Sequence, residues 1–195
     1  MIDRRWPRHF IDVETTALDT VNGEIIEICI LTEHTRGNVE SWCMRVRPGH
    51  IKTADPKSLQ INGYTCAEWS RAPFWSEITD IVAHKLKYGT IIGHNVEFDI
   101  KFIKAALARC GDPKITYRQI CTRQLALEHL PPLYSVSMNN LRKWFNISTE
   151  GAHRAQKDAE DCRRVFYRLH RSGALSRLYW AIKHRWQTRN AKKPR

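Results

Sequence analysis

Apolar residues along this chain alternate in some stretches and recur every three to four positions in others, and the two periods separate strands from helices. Short apolar runs predict strands over 8–14, 24–33 and 38–47, the beginning of a meander. Between 73 and 88, Phe74, Ile78, Ile81, Val82 and Leu86 keep a core-facing helical period, with Gly89 as the stop. A strand near 90–94, a helix near 97–110 and a strand near 117–121 follow, and then helices. Ser137 and Asn140 begin one of these, with Leu141, Trp144 and Phe145 on its apolar side. The leucines of Gln124-Leu125-Ala126-Leu127 fit another ordinary helix. This order of elements is that of an α/β domain.

In three places along the chain, acidic residues run against the apolar pattern. Asp12 and Glu14, in Phe10-Ile11-Asp12-Val13-Glu14, are two apart on a strand and so share a face. Like charges held together at the edge of a core repel and lose hydration, so one takes up a proton or both meet a metal. Asp99 opens a helical stripe that continues through Ile103, Ala106 and Cys110, with Phe98 and Phe102 beside it. Asp158 likewise opens the stripe of Cys162, Val165, Phe166 and Leu169, and His153 lies five residues earlier, near the helix start. Each has an ordinary explanation alone: a solvated edge strand, an acid complementing a helix dipole, a structural histidine. Glu160, in reach of Arg163 or Arg164, reads as such a solvated charge.

In order, spacing and residue type these positions match three motifs, and from about 9 to 169 the chain resembles the DnaQ-like 3′–5′ exonucleases of the DEDDh family. The first motif is Phe10 to Leu18 with Glu14-Thr15-Thr16, continuing into Ile25-Ile26-Glu27-Ile28. The second is His94-Asn95 with Phe98-Asp99, and the third is His153, Ala155 and Asp158-Ala159. The resemblance implies a ribonuclease H-like fold, with three antiparallel strands joined to parallel ones in a mixed central sheet flanked by helices. It implies two divalent metal ions, Mg²⁺ with Mn²⁺ as substitute, since an all-oxygen site suits hard cations. Asp12 bridges both ions in this scheme, Glu14 and Asp158 complete one, and Asp99 holds the other, partly through water. His153 takes the proton from the attacking water, a role for which imidazole is suited at neutral pH. Thr15, Thr16 and Leu18 are the matches for the pocket of the terminal nucleotide: the Thr16 backbone at the 3′-hydroxyl, Leu18 against the last base, Asn95 and Phe98 on the second side. Three departures stand out. Ala17 occupies a usual glycine position, where a turn requiring positive φ would be reshaped. Cys121-Thr122 replaces a frequent Asp-Thr, and Asn62-Gly63 replaces a common His-Gly pair.

Composition then adds a partner. The 195 residues carry 32 Lys/Arg and 20 Asp/Glu, a net +12, and suit a single domain over 1–172 with a basic helix and tail over 173–195. From 163 to 195 there are 11 Lys/Arg and no acids, so the preceding chain is nearly neutral and the excess charge is C-terminal. Such a segment neutralises phosphates. Leu175, Leu178, Tyr179, Ile182 and Trp186 form its apolar stripe, suited to packing on the domain or on a partner subunit in a homodimer. Trp180, between Arg177 and Lys183, lies off that stripe and suits base stacking.

The expected partner is a single-stranded nucleic acid 3′ end, with DNA favoured over RNA because nothing identifies a reader of the 2′-hydroxyl. An exoribonuclease and a non-catalytic binding module on the same fold are the alternatives, and proofreading would require a separate polymerase. Six cysteines without a Cys-x-x-Cys pair, several on apolar stripes, read as reduced thiols. The apolar runs are too short to span a bilayer, and Arg4, Arg5 and Arg8 are not followed by an apolar segment of a secretory signal. A cytoplasmic protein with no membrane partner is expected.

Overall fold

The computed structural model describes residues 6–111, 115–130 and 135–170. Strands β1 (Arg8–Thr15), β2 (Ile25–Glu33) and β3 (Val39–Arg45) form the predicted meander. A single 3₁₀ turn at Ile51–Thr53 leads to two short helices, α1 (Pro56–Ile61) and α2 (Cys66–Trp69), and then α3 (Trp75–Lys85). The alternation β4 (Thr90–Gly93), α4 (Val96–Ala108), β5 (Arg118–Cys121), α5 (Thr122–His129) follows, and α6 (Met138–Phe145) and α7 (Ala155–His170) complete the described fold. The five strands lie in the order β3-β2-β1-β4-β5, with β1–β2 and β2–β3 antiparallel and β1–β4 and β4–β5 parallel. This is the mixed sheet expected for a ribonuclease H-like fold.

Strand alternation distributes the residues of β1 between two cores. Ile11 and Val13 pack with Ile78, Val82, Ile100 and Ile103 beneath α3 and α4. Phe10 points the other way, onto Cys162 and Phe166 of α7. Asp12 and Glu14 share the parity of Phe10 and therefore belong to the α7 face. That helix sits close to the sheet because Ala155 and Ala159, both fully buried, meet Cys29 with no bulk between them.

Several local expectations are corrected. Phe74 and Ile81 are 42% and 44% exposed: Phe74 precedes α3 as its N-cap residue, and Ile81 lies about 100° around the helix from Val82. The helix ends at Leu86, before Gly89, so Gly89 is not its stop. At φ +139° a Cβ on Gly89 would stand 2.5 Å from His9 Nε2 and 2.8 Å from the Pro7 carbonyl, so this glycine serves close backbone approach. Cys110, beyond the end of α4, is exposed. Cys29 and Cys43 are not reduced thiols: they face each other across β2–β3 and form a disulfide, a pairing set by strand register that no spacing in the sequence marks. Ala17 does not adopt a positive φ, so the turn after β1 needs no glycine there. The C-terminal helix and tail, including Arg177, Trp180 and Lys183, lie outside the described residues.

Candidate active site

The site forms at the C-terminal end of β1, where β4 pairs with Arg8 to Phe10 only and then turns away. The Val13 N–H, left without a strand partner on that side, donates to Asp99 Oδ1 at 3.0 Å. A residue from the first turn of α4 is thereby fixed beside β1, and Asp99 is only 4% exposed. The helix is entered through Asn95 in the left-handed conformation, φ 74°, which leaves the Asn95 side chain exposed at the mouth. Phe98, partly buried, packs on Phe102 with ring centroids 4.8 Å apart.

From the opposite face, α7 supplies Asp158 in its first turn and His153 from the loop before it. His153 is exposed and also left-handed, φ 64°, a conformation that histidine tolerates better than most side chains. Glu14, His153 and Asp158 offer ligand atoms that all lie within 4.8 Å of one another. Asp12 and Asp99 are not in this tightest group, yet their charges act on it. Burial pushes the Asp12 carboxyl well above the ordinary range, and the neighbouring Asp99 and Asp158 push it further. Glu14 is raised to about 8 by burial, then by Asp158 and by Glu27, its cross-strand neighbour. Asp99 also reaches about 8 through burial, although the Val13 N–H pulls it down.

Such a cluster, drawn from two faces of a sheet and held against its own repulsion, fits divalent cations. Its donors are carboxylate oxygens with one imidazole, and their charges cancel poorly without added positive charge. Glu14, His153 and Asp158 could hold such an ion between them, and Asp12 and Asp99 stand close enough to act on the same charge.

The predicted nucleotide pocket is built on the loop after β1. Thr16 is buried, its N–H donates to the Glu24 carbonyl at 2.9 Å, and its carbonyl accepts from Asp55 N at 2.8 Å. The Thr16 carbonyl therefore offers its second lone pair as the remaining backbone contact, since the N–H is committed. Thr15 is buried as well, with its hydroxyl on the Ala17 carbonyl at 2.7 Å. Leu18 is 78% exposed at the rim.

Four residues support this arrangement; the sequence singled out Asn62 at the pocket but gave no supporting role to Glu27, Arg154 or Arg142. Asn62, which stands in a departure from the family pattern, is buried and donates to the Thr15 carbonyl at 3.0 Å, clamping the pocket loop. Glu27 and Arg154 form a pair at 3.2 Å beside Glu14 and His153. Arg142, 1% exposed, binds Asp158 directly. A signal for Arg142 existed, because a charge next to Leu141 and one turn before Phe145 breaks an apolar stripe in the same way as the acids.

The sequence pattern of the RNase T exonuclease family matches residues 9–166. The DNA polymerase III epsilon subunit of Treponema pallidum is 27% identical over 157 residues, 80% of this chain and 72% of that protein. The same subunit from Aquifex aeolicus is 28% identical over 159 residues, 82% and 78% of the two chains. The PolC-type DNA polymerase III of Streptococcus mutans is 29% identical over 156 residues, but this chain spans only 10% of its length. In fold the chain resembles E. coli exonuclease I in complex with a dT13 oligonucleotide, with a TM-score of 0.74 at 18% identity. That likeness covers 90% of this chain and 43% of exonuclease I, so this chain spans less than half of that structure. The matched span encloses all three acidic motifs and the elements that carry them, and the chain belongs to the exonuclease family.

Proposed function

We propose that this exonuclease hydrolyses phosphodiester bonds stepwise from the 3′ end of single-stranded DNA, releasing nucleoside 5′-monophosphates. The observation that carries this reading is the meeting of Glu14, His153 and Asp158 within 4.8 Å, with Asp99 buried and Asp12 half-buried beside them. Two bound Mg²⁺ ions would supply Lewis-acid stabilisation of the charge that develops on the phosphate, with Mn²⁺ able to replace them. Asp12, Glu14, Asp99 and Asp158 would hold those ions. His153, on an exposed loop at the rim, accepts the proton of the attacking water, as its place beside two carboxylates suits. Thr15 and Thr16, braced by Asn62 and Asp55, and Leu18, projecting at the rim, receive the terminal nucleotide between themselves and Asn95 and Phe98.

Because the contacts assigned to this site go to phosphate, sugar and the face of the last base, little sequence preference is expected. A paired end must first unstack, which favours single strands. Among the described residues no helix is long and apolar enough to cross a membrane; action in the cytoplasm is part of this proposal. A polymerase or a second copy of this chain is the protein partner such an enzyme would use.

The test is digestion of matched 5′-labelled single-stranded DNA and RNA with and without Mg²⁺, beside the Asp12→Asn protein. A metal-dependent ladder shortening from the 3′ end, faster on DNA and absent from the variant, is the expected result. A faster RNA ladder would move the substrate to RNA, and no ladder on either would overturn the reading.

A further inference from the structure

Outside the acidic cluster, the largest fully buried charged side chain in the described structure is Arg142 on α6. Its side chain is 1% exposed, and each arm of the guanidinium has a partner. Nε donates to Asp161 Oδ2 at 2.7 Å, Nη1 to Asn139 Oδ1 at 2.8 Å, and Nη2 to Asp158 Oδ1. Asp161, itself 0% exposed, also receives Arg164 Nη1 at 2.9 Å and the ammonium of Lys157. Burial pushes the Asp161 carboxyl up, but the hydrogen bonds from Lys157 and Arg142 outweigh it and hold the group below its ordinary value. The same Lys157 donates to the Ser148 carbonyl at 2.9 Å, within the loop that carries His153.

A pair that served only to join α6 to α7 would need Arg142 and Asp161 alone. Here one rigid fork spans two acids a helical turn apart, and one of them is the Asp158 of the hydrolytic site. The planar guanidinium fixes direction as well as charge, because its donors cannot rotate independently. Asp161 offsets much of the guanidinium's positive charge, so the fork restrains Asp158 with less opposition to an approaching cation than an isolated arginine would present.

We propose that Arg142 is a positioning residue, anchored by Asp161 and Asn139, that holds the Asp158 carboxylate in the orientation from which it ligates a divalent cation. The inference rests on the proposed metal-binding reading of the cluster and extends it to the residues behind the ligands. Partners behind a ligand, when removed, weaken metal affinity by about 10–100-fold.

The experiment measures Mn²⁺ binding by calorimetry without substrate, together with Tm in EDTA, on wild-type protein, Arg142→Lys, and the double variant Arg142→Met/Asp161→Leu. Replacing a buried ion pair jointly with apolar residues of similar volume is often neutral for stability, and Lys157 and Arg164, which also bind Asp161, are 19% and 53% exposed and retain water as a partner, so the double variant is chosen to keep the fold while freeing Asp158. The expected result is a Tm in EDTA no lower than wild type with Mn²⁺ affinity reduced about 10-fold or more. Arg142→Lys, which keeps the charge but not the fork, should lie between the two. Unchanged Mn²⁺ affinity in a folded double variant overturns the positioning role. Should the double variant not fold, Arg142→Lys decides alone: weaker binding at unchanged Tm supports the role, and equal binding overturns it. Absence of Mn²⁺ binding by the wild-type protein overturns the metal reading itself and this inference with it, which separates the two failures.

Discussion

Asp12→Asn removes one negative charge from a position that burial and three neighbouring carboxylates already disfavour. Hydrolysis is expected to fall to background, while the Tm of the metal-free protein stays level or rises, because repulsion is relieved at nearly constant volume. Thermal unfolding in EDTA, run beside the digestion, checks both halves. His153 requires a different substitution. Its φ of 64° penalises alanine, so His153→Asn, which tolerates the left-handed region, isolates the loss of the base from the loss of the loop. A fall in kcat of about 10²-fold at unchanged Tm is expected; an unaltered rate would show that another group takes the proton. At this scale the acids were legible because each interrupts an apolar stripe. Arg142 interrupts one too, but its role depends on where a long side chain ends, and that is set by α7 rather than by α6.

Helix α7 shows how an element places a site. Ala155 and Ala159 are fully buried against Cys29, so the helix approaches the sheet closely enough for Asp158 to reach Glu14. Ala159→Leu would force extra methylenes into that contact, costing about 1–3 kcal/mol, and would lift Asp158 from the cluster. Urea titration should show the lower stability and digestion a loss of activity larger than the unfolded fraction explains; wild-type activity at wild-type stability would remove this helix from the argument. Apolar runs placed β1 and β2 and helical period placed α4 and α7, since each extends over at least 8 residues. It misjudged the environment of Phe74 and Ile81, where an apolar residue at helical spacing faces solvent because the stripe is wider than the core it covers. The short helices α1 and α2, with 6 and 4 residues, carry too little periodicity to be read and depend on caps from Asp55 and Thr65.

Among the described residues the acidic cluster concentrates raised carboxyl groups, and this gives a pH dependence with a definite sign. Glu14 and Asp99 titrate at about 8 in the fold but near 4 when unfolded, so between those values the folded state binds more protons and stability falls as pH rises. His94, lowered to about 4 chiefly by burial, acts in the opposite direction but only below about 6.5. In EDTA, Tm should therefore decline from pH 6.5 to 8, and saturating Mg²⁺ should flatten the decline, because bound cation replaces bound protons. A flat profile in EDTA would contradict the proposed crowding of charge.

The alternation of β1, the acids that open two helical stripes, and the order of the three motifs are local properties, and the sequence by itself determined from them the fold class, the family and the identity of the acidic residues. Which groups stand behind those acids was decided only in three dimensions. Strand register joined Cys29 to Cys43, the divergence of β4 gave the Val13 N–H to Asp99, and the docking of α6 on α7 brought Arg142 to Asp158. The reason is physical: a periodic pattern reports which face a residue takes, whereas a contact between residues 16 or 86 positions apart depends on how separate elements pack.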